Sequence, residues 1–139
     1  MKFTHSRNHG PITLGLALLL VAGLASAADV TLSGDNEVPP VHTAASGNSS
    51  ISIADDGTVA GSVHTTQIAG TVAHIHLGAK GKNGPVLIAL TKGTDGDWQV
   101  PAGSKLTTEQ LKSFKAGDLY VNVHSQANKG GEIRTQLAP

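Results

Sequence analysis

The chain of 139 residues has no cysteine, and its single methionine is Met1. Without thiols there is no disulfide framework, no thiolate metal site and no cysteine nucleophile. Without internal methionine a thioether-rich Cu(I) site is excluded too. Net charge is also lacking. Ten Lys and Arg stand against ten Asp and Glu with no basic run, which rules out a strongly basic nucleic-acid binder. No G-x-S-x-G nucleophile elbow occurs, so hydrolase chemistry has no support. The glycine-rich segment 78–84 carries Lys80 and Lys82 but lacks the Gly-Lys-Ser/Thr ending of a phosphate cradle, and reads as a flexible loop. Asp55-Asp56-Gly57 and Asp95-Gly96-Asp97 lack the twelve-residue calcium pattern and read as turns.

The beginning of the chain has three parts. Residues 1–10 carry Lys2 and Arg7 and no acid, residues 12–24 are almost wholly apolar, and Ala25-Ser26-Ala27 is a small-x-small pattern. The apolar run is about 13 residues against the roughly 20 of a spanning helix. Residues 1–27 are therefore expected to be a secretory signal peptide, and residues 28–139 a single exported domain, periplasmic or secreted, with no membrane span once the leader is cleaved. A domain this small without disulfides must rest on its apolar core or on a bound metal.

The mature part is patterned mostly with period two. Strands are expected over residues 29–33, 50–54, 58–66, 71–77, 85–91 and 119–124, around Trp98, and over 132–137. Residues 34–47, with Pro39-Pro40, read as a loop. The continuous apolar run 85–91 suits a strand buried on both faces. The helix candidate is 107–116, with a threonine cap and Gly117 at its end. About seven strands with one short helix imply an antiparallel β-sandwich, immunoglobulin-like or superoxide-dismutase-like.

Seven histidines in so short a chain are many. His5 and His9 fall in the leader, and His42 lies in the proline loop and reads as solvated. His74 and His76 are two apart on an expected strand, so both imidazoles leave the same face while Ile75 between them points to the core. His64 and His124 each follow an inward valine, at the same kind of position on two other strands. If those strands are neighbours, His64, His74, His76 and His124 converge as metal ligands, with copper the first expectation and zinc the alternative. Glu132 and Arg134 share a face of the last strand and read as an exposed structural pair. Glu132 or Asn122 is a candidate for holding a histidine tautomer.

Gly34–Val41 (GDNEVPPV), Ala73–His76 (AHIH), Gly84-Pro85-Val86, Leu119–Ser125 (LYVNVHS) and Gly130–Arg134 (GGEIR) together resemble the CHRD domain, named after chordin, an extracellular antagonist of bone morphogenetic proteins. Thr135 stands where that family usually has glycine. The resemblance covers essentially all of the chain after the leader and implies an all-β domain. A weaker likeness is to Cu,Zn superoxide dismutase, in which His74, His76 and His124 would match copper ligands in type and order. There is no disulfide and no His/Asp-rich zinc loop to extend it.

Three functions are thus expected in order. The first is storage, delivery or buffering of a transition metal by the histidine cluster. The second is a non-catalytic module that meets a protein partner without metal. The third is a copper-dependent redox enzyme, and no catalytic residue is assigned.

Overall fold

The computed structural model describes residues 29–139. The leader read over residues 1–27 lies outside them. The described chain is nearly all β, with antiparallel pairing throughout.

In chain order the strands are β1 (Val30–Ser33), β2 (Ser46–Ser49), β3 (Ser52–Ile53), β4 (Val59–Ala60), β5 (Ser62–Thr66), β6 (Gly70–Leu77), β7 (Val86–Ala89), β8 (Thr91–Lys92), β9 (Asp97–Gln99), β10 (Leu119–Ser125) and β11 (Ile133–Leu137). A helix, α1 (Thr108–Lys115), stands before β10. Nine strands form one sheet in the order β7-β6-β10-β11-β1-β2-β5-β9-β8, and β3 pairs with β4. The two ends of the large sheet are one stretch of chain, since only Leu90 separates β7 from β8. The Leu90 N–H donates to the Ala73 carbonyl on β6 at 2.9 Å, while β8 pairs with β9. The sheet thereby curls back on itself into a barrel-like body, compatible with a β-sandwich, and leaves few open edges for other chains to pair with.

Period two decides what goes inside. Leu32, Val63, Ile75, Leu119, Val121, Val123 and Ile133 are fully buried, joined by Trp98 and, from α1, Phe114. Each such side chain contributes about 1.5–3 kcal/mol through burial. Helix α1 forms as its sequence suggests. Thr107 and Gln110 exchange hydrogen bonds in a capping box, and Gly117 takes a left-handed conformation just past the end.

The structure differs from the sequence-based expectation in four places. Residues 46–49, which begin inside the expected loop 34–47 and run two residues past it, form β2, whose Ser-Gly-Asn-Ser has no apolar alternation and owes its extension to pairing with β1 and β5. The expected strand 58–66 is divided at Gly61 into β4 and β5, which belong to different sheets. A Cβ at Gly61 would collide with the Ser50 carbonyl, and its φ of +115° suits glycine. The run 85–91 is not buried on both faces: Val86 is half exposed while Leu90 is in the core. The described residues hold eleven strands, several of only two or three residues, rather than about seven.

Candidate metal centre

Strands β6, β10 and β11 lie side by side. Their register sets His76 opposite Tyr120, His74 opposite Asn122, and Asn122 opposite Arg134. The residues alternating with the core set therefore share the outer face: His74 and His76 from β6, Tyr120, Asn122 and His124 from β10, Arg134 and Gln136 from β11. That face is not open. Tyr120, Asn122, His124 and Arg134 are buried, as is His76, and His74 is partly so. The proline loop and segment 78–84 fold over it. Asn83 Nδ2 donates to the Val38 carbonyl at 2.8 Å and so ties the two together.

Three imidazoles come together there. His74, His76 and His124 each offer a ring nitrogen, and these nitrogens all lie within 4.8 Å of one another. The ring centroids are 5.0 Å apart for His74–His124, 5.4 Å for His74–His76 and 6.1 Å for His76–His124. Two of the rings have their outward nitrogen fixed. His76 Nδ1 is 2.9 Å from the Gly84 carbonyl, and His124 Nδ1 is 2.8 Å from the Lys129 carbonyl. A carbonyl can only accept, so both Nδ1 atoms carry the hydrogen and both Nε2 lone pairs turn toward the cluster when the rings are neutral. His76 Nε2 is buried without a hydrogen-bond partner. His124 Nε2 faces His74 Nδ1 at 3.3 Å and the Asn122 amide oxygen at 3.0 Å.

Burial holds the His74 and His76 rings below the ordinary imidazole pKa of 6.5. For His74 the His124 and His76 imidazoles push the same way; for His76 the Gly84 carbonyl and the Asn122 amide pull against burial, while His124 and Arg134 add to it. Both rings thus favour the neutral form, the one that can ligate.

Of the four expected ligands, the structure brings His74, His76 and His124 together and leaves His64 apart. His64 lies on β5, separated from β10 in the sheet by β11, β1 and β2. Its Nδ1 is 2.7 Å from Asp97 on β9, both side chains about half exposed. An exposed pair of this kind contributes no more than about 1 kcal/mol. A Val-His step fixes the face a histidine occupies, whereas strand order decides its neighbours. His42 is exposed, as expected.

The surrounding charges also differ from the expected exposed Glu132–Arg134 pair. Both residues are buried. Glu132 accepts from Thr43 Oγ1 at 2.6 Å, and hydrogen bonds from Ser125, Thr43 and Asn128 outweigh its desolvation to hold its pKa below the ordinary carboxylate value. Of the two residues considered for holding a tautomer, Asn122 meets His124 and Glu132 does not. Glu37, in the proline loop, is not among the expected site residues. The residue is 4% exposed, and its Oε1 is buried without a partner. Burial pushes its pKa up to about 7, with Arg134, the Asn122 amide and the Val38 N–H offsetting this in part. Two adjoining features of the sequence point to it: an acid beside Pro39-Pro40, and Gly131, where a Cβ would collide with Glu37 Oε1 and Asn122 Nδ2.

An antiparallel, barrel-like β domain carrying a covered imidazole cluster on its outer face is the class that fold and site define. Residues 28–137 match the CHRD domain model, and the chain belongs to that family, whose domains are typically extracellular. No curated protein and no solved structure matches the chain.

Proposed function

We propose that this protein is an exported CHRD-domain protein that binds a transition metal, copper first and zinc as the alternative, through His74, His76 and His124, for storage, delivery or buffering. The observation that carries the reading is the buried, unpartnered Nε2 of His76 beside two further imidazole nitrogens within 4.8 Å. An unpaired buried nitrogen costs about 1–3 kcal/mol. A cation bound by all three rings would remove that cost. Metal–nitrogen bonds of about 2.0–2.1 Å ask only a small inward movement of the rings. The donor set fits the ion chemically: imidazole suits copper and zinc, and no sulfur ligand competes. When bound, the ion would supply a Lewis-acid centre. The chain itself holds the rings, keeps two Nδ1 hydrogens on backbone carbonyls and shields His76 from water. Export rests on the leader pattern of residues 1–27 and on the family's usual location.

Calorimetric titration of the protein with Cu(II) and Zn(II) tests this. One ion per chain is expected for the wild type, with the affinity lost in a His74→Ala/His76→Ala double variant. Wild-type binding no tighter than that of the double variant would end the reading.

A second reading, a module that meets a protein partner, is favoured by Val72 and Val86. Both are about half exposed, and they lie on the neighbouring strands β6 and β7. A metal-independent partner lost on Val72→Asp or Val86→Asp would support it.

A further inference from the structure

His76 is the imidazole whose Nε2 is buried without a hydrogen-bond partner, and its orientation depends on a segment, residues 78–84, with no regular structure of its own. Arg134 explains why that segment is held in place. Its side chain is 1% exposed. One guanidinium nitrogen, Nη2, donates to the Lys82 carbonyl at 2.8 Å and to the Ala79 carbonyl at 3.3 Å, and the other, Nη1, to Asn83 Oδ1 at 3.3 Å. The guanidinium carbon lies 3.4 Å from the centroid of the Tyr120 ring. On the β6 side of the same ring lies His76, its plane parallel within 1° and its centroid 4.7 Å away. Because β10 runs between β6 and β11, Tyr120 stands between His76 and Arg134. The Gly84 N–H donates to the Tyr120 hydroxyl at 3.2 Å, and the Gly84 carbonyl accepts from His76 Nδ1. A Cβ at Gly84 would collide with the Leu77 carbonyl, so only glycine lets the segment return this closely to β6. Arg134, Tyr120, His76 and segment 78–84 therefore form a closed ring of contacts.

We propose that Arg134 is a positioning residue that presets His76 as the Nδ1–H tautomer with Nε2 directed into the imidazole cluster. The guanidinium acts twice: its fork holds the carbonyls of the segment that carries Gly84, and its face fixes the Tyr120 ring on which His76 stacks. A planar group with several donors serves both ends, which an ammonium cannot. His124 does not depend on this ring of contacts, since its Nδ1 is held by the Lys129 carbonyl.

The inference rests on the metal-site reading for its purpose, yet it is tested without metal. Nitrogen-15 NMR of histidine-labelled, metal-free protein at pH 8 reports each ring's tautomer. The wild type is expected to show His76 and His124 both as Nδ1–H. In Arg134→Gln, His76 is expected to move to a mixture with Nε2–H while His124 stays unchanged. A general loosening of the fold would move both. Tyr120→Phe keeps the stacked ring but deletes the acceptor for the Gly84 N–H, and is expected to give a smaller shift in the same direction. It also serves if Arg134→Gln does not fold. A His76 tautomer unchanged in these variants overturns the proposal. If the wild type binds metal, Arg134→Gln should weaken it on the order of 10–100-fold, as loss of an outer hydrogen-bond partner does. Failure of the wild type to bind would sink the metal reading and leave the tautomer result to judge Arg134.

Discussion

His74 Nδ1 and His124 Nε2 face each other at 3.3 Å across the β6–β10 pair. The Lys129 carbonyl fixes the hydrogen of His124 on its other nitrogen. On the neutral ring, Nε2 thus has no hydrogen to give, and the amide oxygen of Asn122 at 3.0 Å brings a further lone pair to the same spot. Donor atoms gathered this closely, under loops that exclude much of the water, form a place that favours positive charge. A proton or a metal ion would compete for it.

That competition has a pH signature. Folding lowers the pKa of His74 and His76 below 6.5, chiefly through burial, so at these two rings protons compete with metal only at pH below the ordinary imidazole range. Affinity for Zn(II) should be highest where the imidazoles are neutral and fall as pH drops through the ordinary imidazole range of about 6.5. Below the lowered pKa it should fall about tenfold per unit for each ring protonated. Calorimetry across pH 5–8 checks this. Affinity equally high at pH 5 would exclude imidazole ligation.

Glu37 should give the fold a pH dependence of its own. Its folded pKa, about 7, exceeds the ordinary 4.5, so the folded chain keeps a proton that the unfolded chain releases. The contribution is full below pH 4.5, is lost as pH rises to about 7, and is flat beyond, with a size of order 3 kcal/mol. The lowered histidine pKa values act in the opposite sense, losing stability as pH falls below 6.5. The comparison of wild type with Glu37→Gln isolates the carboxyl. Glu37→Gln should gain on the wild type between pH 5 and 8 in urea unfolding. A constant difference across that range would refute it.

His64→Ala should leave metal affinity unchanged within a factor of about two. Its ring pairs with Asp97 at the surface, so stability should change by no more than about 1 kcal/mol. A large loss of affinity, measured by the same titration, would place the site elsewhere.

Gly131→Ala should disturb the back of the site. The residue has a φ of +125°, and a Cβ there would collide with Glu37 and Asn122. A destabilisation of about 1–3 kcal/mol is expected from strain at such a position, read as a lowered urea midpoint. A neutral effect would mean that the Glu37 carboxyl has room to move away.

Much of this was legible in the sequence because period two is a local property. Ile75 between His74 and His76, and the valines before His124, fix which face each imidazole takes before any strand order is known. Strand order itself is not local. His64 repeats the Val-His step and lies elsewhere, because nothing in residues 62–66 states that β2 and β9 will flank them. β2 escaped notice since Ser46–Ser49 carries no apolar code. The burial of Glu37, Asn122 and Arg134 was hidden as well. It comes from loops that fold over the outer face, and a polar side chain on an alternating strand looks the same whether water or a loop covers it.

Crystals of the protein soaked with Cu(II) or Zn(II) and measured at the metal's absorption edge test the central claim most directly. The account predicts one anomalous peak per chain, bonded at about 2.0–2.1 Å by nitrogens of His74, His76 and His124. A fully soaked crystal with no peak among those three rings, or with its peak at His64 and Asp97 instead, would contradict it.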